Sequence, residues 1–309
     1  MKRSHHLSKF ADTTATVILY FVAGFFLLLL AAFTVYILYK GVVAFNPRYM
    51  GFRREGIGVQ LFNTIYLVLI SLLISVPIGI AAGIYISEYA KENALTRFLR
   101  VCIETLSSLP SIVVGMFGYL VFLVMTGAHW NLMAGALTIS ILNIPQMATV
   151  TKDALQNVPS IYREGSYSLG ATHWQTIWKM MLPSITPRII TGIIISAGRG
   201  FGEAAALLFT SGMSSDVNFH NWNPFDINSP LNPFRPADTL AVRIWALKTE
   251  GVEPNAMQLA DLSTATLLIL VFGFSWGARL IGRHLERKMA GKQKQSKRKE
   301  HNMDATPQG

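Results

Sequence analysis

Charge is scarce in this sequence. Asp, Glu, Lys and Arg make up 14% of its 309 residues, where a soluble domain carries about 25%. Cysteine is scarcer still: Cys102 stands alone, which excludes an intramolecular disulfide framework. No Gly-x-x-x-x-Gly-Lys-Ser/Thr run occurs, so the chain lacks the loop with which many ATPases cradle phosphate. No Ser-His-Asp or Cys-His arrangement assembles with any specificity, so nothing points to a membrane enzyme. His5 and His6 resemble a metal pair only superficially, at a terminus read as solvated, and no metal or cofactor is expected.

Apolar residues are what the chain has in quantity, 51% of the total. They fall into runs near the ~20 residues needed to cross a hydrocarbon core. Six spans are readable: Thr16–Tyr39, Phe62–Ile86, Ser111–Met125, Leu132–Val150, Pro187–Phe209 and Thr264–Ile281. The first is too long for a signal-peptide core and has no small-residue cleavage site after it. Pro77 and Pro145 lie inside spans, which neighbouring helices can tolerate by satisfying the freed carbonyls. The expected fold is an all-α membrane protein of six transmembrane helices set in a lipid bilayer.

The formal charge of +10 could suggest nucleic acid, but its distribution argues against it. Basic residues crowd into Arg279–Lys299, directly after the last span, without interleaved aromatics. Such a tail is a topology determinant and a solvated end. With an even number of spans both termini share one side, and most of the 27 basic residues collect there. That side is therefore expected to be the cytoplasm. The division that follows is a cytoplasmic N-terminus over 1–15, a membrane domain over 16–284 and a basic cytoplasmic tail over 285–309. Within the membrane domain, 151–186 forms a cytoplasmic loop and 211–262 an external one rich in Asn-Pro turn signals, with a short helix over Ala237–Leu247. Glu88 and Glu104 read as surface or interface carboxylates.

The cytoplasmic loop carries helix signals. Gly170 can end one helix in a left-handed cap. Thr172 and Gln175 make a capping box for a second, which Leu182-Pro183 closes. Gly165, Ser166, Gly170 and Ala171 keep the corner slim, and Ile161, Tyr162, Trp174 and Trp178 are its apolar anchors. Two readings compete on pattern alone. The hairpin could lie in the headgroup layer, with the tryptophans as interface aromatics, or it could dock into a soluble partner.

The fifth span contains Arg199 near its midpoint and Glu203 one helical turn on, within reach of an ion pair. An arginine at that depth costs about 2.5–3.5 kcal/mol on insertion scales. Gly198, Gly202 and Ala206 form a small-residue stripe beside the pair, suited to close approach of another helix. Three roles fit: an anion relay in which the guanidinium meets oxyanions and Glu203 neutralises it between substrates, a static pair locking helices, or the coupling pair of a proton-driven carrier. Carriers of that kind tend to show paired repeats, and none is visible here.

The spacing Glu164-Gly-Ser, three residues, Gly170, nine residues, Met180, one residue, Leu182-Pro183 resembles the EAA loop of ABC importer permeases. Pro77-Ile-Gly-Ile-Ala-Ala-Gly-Ile-Tyr-Ile-Ser-Glu-Tyr89, Ser107-Ser-Leu-Pro-Ser-Ile-Val-Val-Gly115 and Thr151-Lys-Asp-Ala-Leu-Gln-Asn-Val-Pro159 are similar to phosphate importer permeases. Leu240-Ala-Val-Arg-Ile-Trp resembles the outer helix of the PstA type. The chain departs from that pattern at Glu164-Gly165-Ser166, where the triplet is Glu-Ala-Ala, and at Leu240-Ala-Val, where it is Leu-Pro-Val. The resemblance implies a type I ABC importer permease fold with coupling helices in the loop. Arg163, Glu164, Gly165, Ser166, Gly170, Leu182 and Pro183 would then meet the ATPase, and Arg199 and Glu203 would line the substrate path. It also implies a pair of separate ATP-binding subunits, a PstC-type sister permease and an extracytoplasmic phosphate-binding protein. Another oxyanion is the nearest alternative cargo.

Overall fold

The computed structural model describes the backbone of residues 2–52, 56–251 and 255–304, and the side chains of 12–52, 56–251 and 255–284. The basic side chains expected at the N-terminus, at Arg53 and Arg54 and beyond 284 lie outside the described residues. All regular elements among the described residues are helical. They are α1 (Lys2–Val43), α2 (Gly58–Ile84, running on into a π turn Tyr85–Tyr89), α3 (Ala94–Ser108), α4 (Ser111–Tyr119, with a π turn Leu120–Val124) and α5 (Leu132–Gln156). The hairpin then supplies α6 (Ser160–Ser168) and α7 (His173–Thr176, with a π turn Ile177–Met181). After it come α8 (Leu182–Gly202), α9 (Ala205–Thr210), α10 (Leu240–Thr249) and α11 (Ala256–Asp304). Five helical stretches among the described residues are long and apolar enough to span a membrane. A sixth span exists if α3 and α4 are counted together.

Glycine decides how the centre packs. An added Cβ at Gly83 of α2 would lie 2.6 Å from Thr151 Cβ and 2.7 Å from Ala148 O of α5, so only a hydrogen fits between the two backbones. Gly192 and Gly200 of α8 lie against Met147, Val150, Ile139 and Val68, which seats α8 across both α2 and α5. Towards the hairpin this junction closes on Ile84, Met147, Leu155, Ile177, Met181 and Ile185, all buried. Helix α1 packs only near its end, where Gly41 abuts Ala265 of α11; Val17, Phe21 and Phe25 are exposed, as expected of a lipid-facing surface.

The structure corrects the sequence reading at three places. The third span is not Ser111–Met125 alone: residues read as loop form α3, and the α3–α4 pair bends by 102°. Asn93 caps α3 by accepting from Thr96 N at 2.9 Å. Pro110 then holds Leu109 extended (ψ 137°) and ends it. The fifth span breaks after Gly202. Glu203 is extended (ψ 117°), and the glycines at 198, 200 and 202 had already weakened the helix. Finally, Leu182-Pro183 does not end the second hairpin helix. The wider π turn Ile177–Met181 accommodates a proline that has no N–H to give, and α7 runs on into α8 as one span, His173–Gly202.

Candidate functional site

Two regions carry the candidate chemistry, the hairpin and the far half of α8. The corner of the hairpin is built as its sequence dictates. Gly170 takes φ +78°; Ala171 N donates to Ser166 O at 3.1 Å and Gly170 N to Tyr167 O at 2.9 Å, the paired bonds of a Schellman cap. Thr172 and Gln175 then exchange bonds of 3.0 and 3.3 Å in the expected capping box. A buried hydroxyl pair, Ser166 to Thr176 at 2.8 Å, ties α6 to α7, and Tyr167 Oη lies 2.7 Å from His173 Nδ1.

The expected docking residues divide between different surfaces. Glu164, Gly165 and Gly170 are exposed. Gly165 and Gly170 border a concavity of about 540 Å³ with Ile161, Tyr162, Leu169 and Met180. Ser166 borders the same concavity, with its hydroxyl turned inward to Thr176. Arg163 is turned inward as well: its Nη2 lies 2.8 Å from Glu88 Oε1 and donates to Leu155 O at 3.3 Å. Glu88, read from sequence as a surface or interface carboxylate, has a side chain only 2% exposed. Leu182 and Pro183 belong to a separate apolar groove between α2 and α8, shared with Pro77, Tyr85, Trp174 and Trp178. That groove favours the membrane-interface reading for the two tryptophans. Leu169, 90% exposed at the tip, was missed; an apolar residue directly before a capping glycine was the available signal.

On α8 the expected Arg199–Glu203 ion pair is not formed. Glu203 stands beyond the helix end, where its Oε1 accepts from Ala206 N at 3.2 Å and braces α9. Arg199 is half-buried and has no hydrogen bond or ion pair among the described residues. It continues the least-buried stripe of α8, through Arg188, Thr191 and Ile195 to Gly202. Among the described residues, nothing lies within 4 Å of a Cβ built at Gly198 or Gly202. Ala206 does approach another helix, but within this chain, against Gly115 of α4.

At the opposite end from the hairpin, the Asn-Pro segment forms an irregular but well-bonded lobe. Asn218, Asn221, Asn223, Asp226 and Asn232 each accept from the backbone N–H two residues on. Arg235, 1% exposed, donates to Asn63 Oδ1 of α2 at 2.7 Å and to the carbonyls of Ser229, Pro230 and Pro236. Burial lowers its pKa to about 10, opposed by Tyr66 and Asp238, so it stays charged at neutral pH. Asp238 accepts from Ser215 and from Gln60 Nε2, and burial pushes its carboxyl above the usual range. Sequence reasoning missed this cluster because its members lie 172 positions apart, as Asn63 and Arg235 do. The expected outer helix is present as α10, capped by Thr239.

A multi-span helical bundle with a folded hairpin on one face and an open, arginine-bearing helix stripe is the architecture of a membrane transport subunit. Residues 75–290 match the family of binding-protein-dependent transport system inner membrane components, and the chain belongs to that family. It is 42% identical over 288 residues to the probable ABC transporter permease protein YqgI of Bacillus subtilis, covering 91% of this chain and 98% of that one. It is 35% identical over 221 residues to the phosphate transport system permease protein PstA 2 of Mycobacterium bovis, 70% and 67% of the two chains. Among solved structures, the inward-facing MetNI methionine ABC transporter aligns with TM-score 0.58 at 18% identity, over 78% of this chain and 99% of that one. The bacterial alginate ABC transporter aligns with TM-score 0.59 at 17% identity, over 84% and 93%. The chain is thus a multi-pass inner-membrane ABC importer permease subunit of the type I fold, not an enzyme. The proton-driven carrier is set aside.

Proposed function

We propose that this chain is one permease subunit of an ATP-driven importer of inorganic phosphate, of the PstA type, with both termini and the hairpin in the cytoplasm. Relatives named as phosphate transport permeases support the cargo. They include proteins of Mycobacterium bovis at 35% identity and Methanocaldococcus jannaschii at 29%. The observation that carries the reading is Arg199, a half-buried guanidinium with no hydrogen bond or ion pair among the described residues, on the least-buried stripe of α8.

An arginine left without a partner in an apolar span costs insertion free energy, so it is not kept for this subunit's own stability. A permanently charged, forked donor facing a path between two subunits suits a tetrahedral oxyanion. A sister permease of the PstC type would close that path, and an extracytoplasmic phosphate-binding protein would load it. Glu203, at the break that ends α8, is assigned the counter-charge when the path is empty and the break straightens. A pair of ATP-binding subunits would seat the hairpin by Glu164, Gly165, Gly170 and the apolar rim of Ile161, Tyr162 and Leu169. Arg163, Ser166, Leu182 and Pro183 would support that seat from within rather than touch the ATPase.

The test is phosphate uptake by the reconstituted complex. Arg199→Ala is expected to lower it by about tenfold or more, the loss of one charge-assisted contact of about 1.5–3 kcal/mol. Normal uptake by an assembled Arg199→Ala complex would remove the relay. Equal competition by sulfate in the parent would shift the cargo to oxyanions in general.

A further inference from the structure

We propose that Glu88 and Arg163 form a strut that passes movement of the hairpin to the second span, a positioning role for two residues outside both the substrate path and the ATPase-facing surface. The inference rests on the reading of the hairpin as the ATPase seat. Helix α6 joins its neighbours through Asn157–Pro159 on one side and the Gly170 corner on the other. Its other polar ties, Ser166 to Thr176 and Tyr167 to His173, stay inside the hairpin. The bond from Arg163 Nη2 to Glu88 Oε1, 2.8 Å long, leaves the hairpin and reaches the end of α2. The same Nη2 also donates to Leu155 O, in the last turn of α5.

The chemistry argues for position over stability. A buried ion pair recovers little more than its desolvation cost, and apolar replacements are often as stable. This pair is not even fully satisfied, because Arg163 Nε is buried with no hydrogen-bond partner among the described residues. What the pair does enforce is register. Ser87 Oγ donates to the same Glu88 oxygen at 2.9 Å, so the carboxylate has one place to be. Glu88 itself sits in the π turn Tyr85–Tyr89, a widened turn of the sort that can migrate along a helix and that recurs at functional sites. A push on α6 therefore arrives at the one turn of the second span already out of α-helical register.

Besides the ring contact of His173 with Tyr89, the hairpin meets the bundle in two ways. Helix α7 continues as a single helix into α8, which carries Arg199 at its far end. Helix α6 reaches α2 and α5 through the strut. Since α2 and α5 meet backbone to backbone at Gly83, and side chains of both pack onto Gly192 and Gly200 of α8, moving α8 without α2 would break that packing. The strut makes the three move together.

The experiment uses the full complex with its ATPase in proteoliposomes and inorganic phosphate as cargo. Glu88→Gln/Arg163→Gln removes both charges at once, so no unpaired buried charge is left to unfold the chain. The expected result is normal co-purification of the ATPase with phosphate moved per ATP hydrolysed lowered about fivefold or more, the lower end of ordinary coupling between sites. Arg163→Lys, which keeps the charge, is expected to restore most of that ratio. An unchanged ratio in the double variant overturns the strut. Loss of ATPase co-purification in that variant also overturns it, by placing the pair in the seat itself.

A second measurement does not depend on either residue being replaced. Spin labels at Ser160→Cys and Lys91→Cys, both exposed, in a Cys102→Ser background report the distance between α6 and the end of α2. That distance is expected to be the same in nucleotide-free and ATP-bound complexes, and a change between them overturns the strut. If the parent chain brings down no ATPase at all, the seat reading fails first, independently of the strut.

Discussion

At the scale of single residues, charge placement separates fold from function. Arg235 is buried and satisfied by a side chain and three carbonyls, whereas Arg199 has no hydrogen bond or ion pair among the described residues. Arg235→Ala would orphan Asn63 Oδ1 and those carbonyls. It is expected to cost about 3 kcal/mol, as for hydrogen bonds to a charged group, and to lower the unfolding temperature in detergent. Asp238 gives a pH signature. Its folded carboxyl is raised above the ordinary value of about 3.9. The folded state thus holds that proton more tightly than the unfolded chain. Its contribution is complete below the ordinary value and is lost as pH rises through the folded one. Thermal stability of the parent should therefore fall more steeply than that of Asp238→Asn as pH rises above the ordinary carboxylate range. Parallel profiles would show that the carboxyl does not titrate as its burial implies.

At the scale of elements, local signals were legible where they act over a few residues. Gly170, Thr172 and Gln175 specified the hairpin corner, since caps are short-range hydrogen-bond chemistry. The breaks were not legible. Pro183 is a stop signal in water, but a π turn just before it lets the helix continue. Glu203 sits one turn after Arg199 in sequence, yet the helix ends before reaching it. Two glycine substitutions separate these causes. Gly170→Ala meets no neighbour within 4 Å, so its expected cost is the left-handed backbone alone, about 1–2 kcal/mol. Gly83→Ala keeps good helix propensity but forces α2 and α5 apart, and its cost is expected to be about 1–3 kcal/mol from overpacking. Equal unfolding temperatures for Gly83→Ala and the parent would mean that the close approach of α2 and α5 is not maintained.

At the scale of the whole molecule, the least-buried stripe of α8 is the surface this subunit does not cover for itself. Gly198→Leu fills space with nothing within 4 Å, so the isolated chain should keep its unfolding temperature. Co-purification of the second permease subunit should fall, because a small-residue stripe brings helices together only while it is small. Retained pairing at parental yield would place the partner elsewhere. The hairpin and the Arg235–Asp238 lobe lie at opposite ends of the bundle, joined by α2, α5 and α8. A change at one end reaches the other through helices packed closely at glycines.

The sequence by itself determined that the chain is a helical membrane protein, where its first, second, fourth and sixth spans lie, and how the hairpin corner is capped. Those follow from hydropathy and from hydrogen bonds between near neighbours, which a linear reading contains. Tertiary structure alone decided which charges pair. Arg163 turned from an expected surface contact to Glu88, 75 positions away. Asn63 met Arg235 across most of the chain, and Arg199 was left without the Glu203 that its spacing offered. The physical reason is that a buried charge is settled by whichever group the packed helices bring within about 3 Å, and the path of the backbone at proline, glycine and π turns decides which group that is.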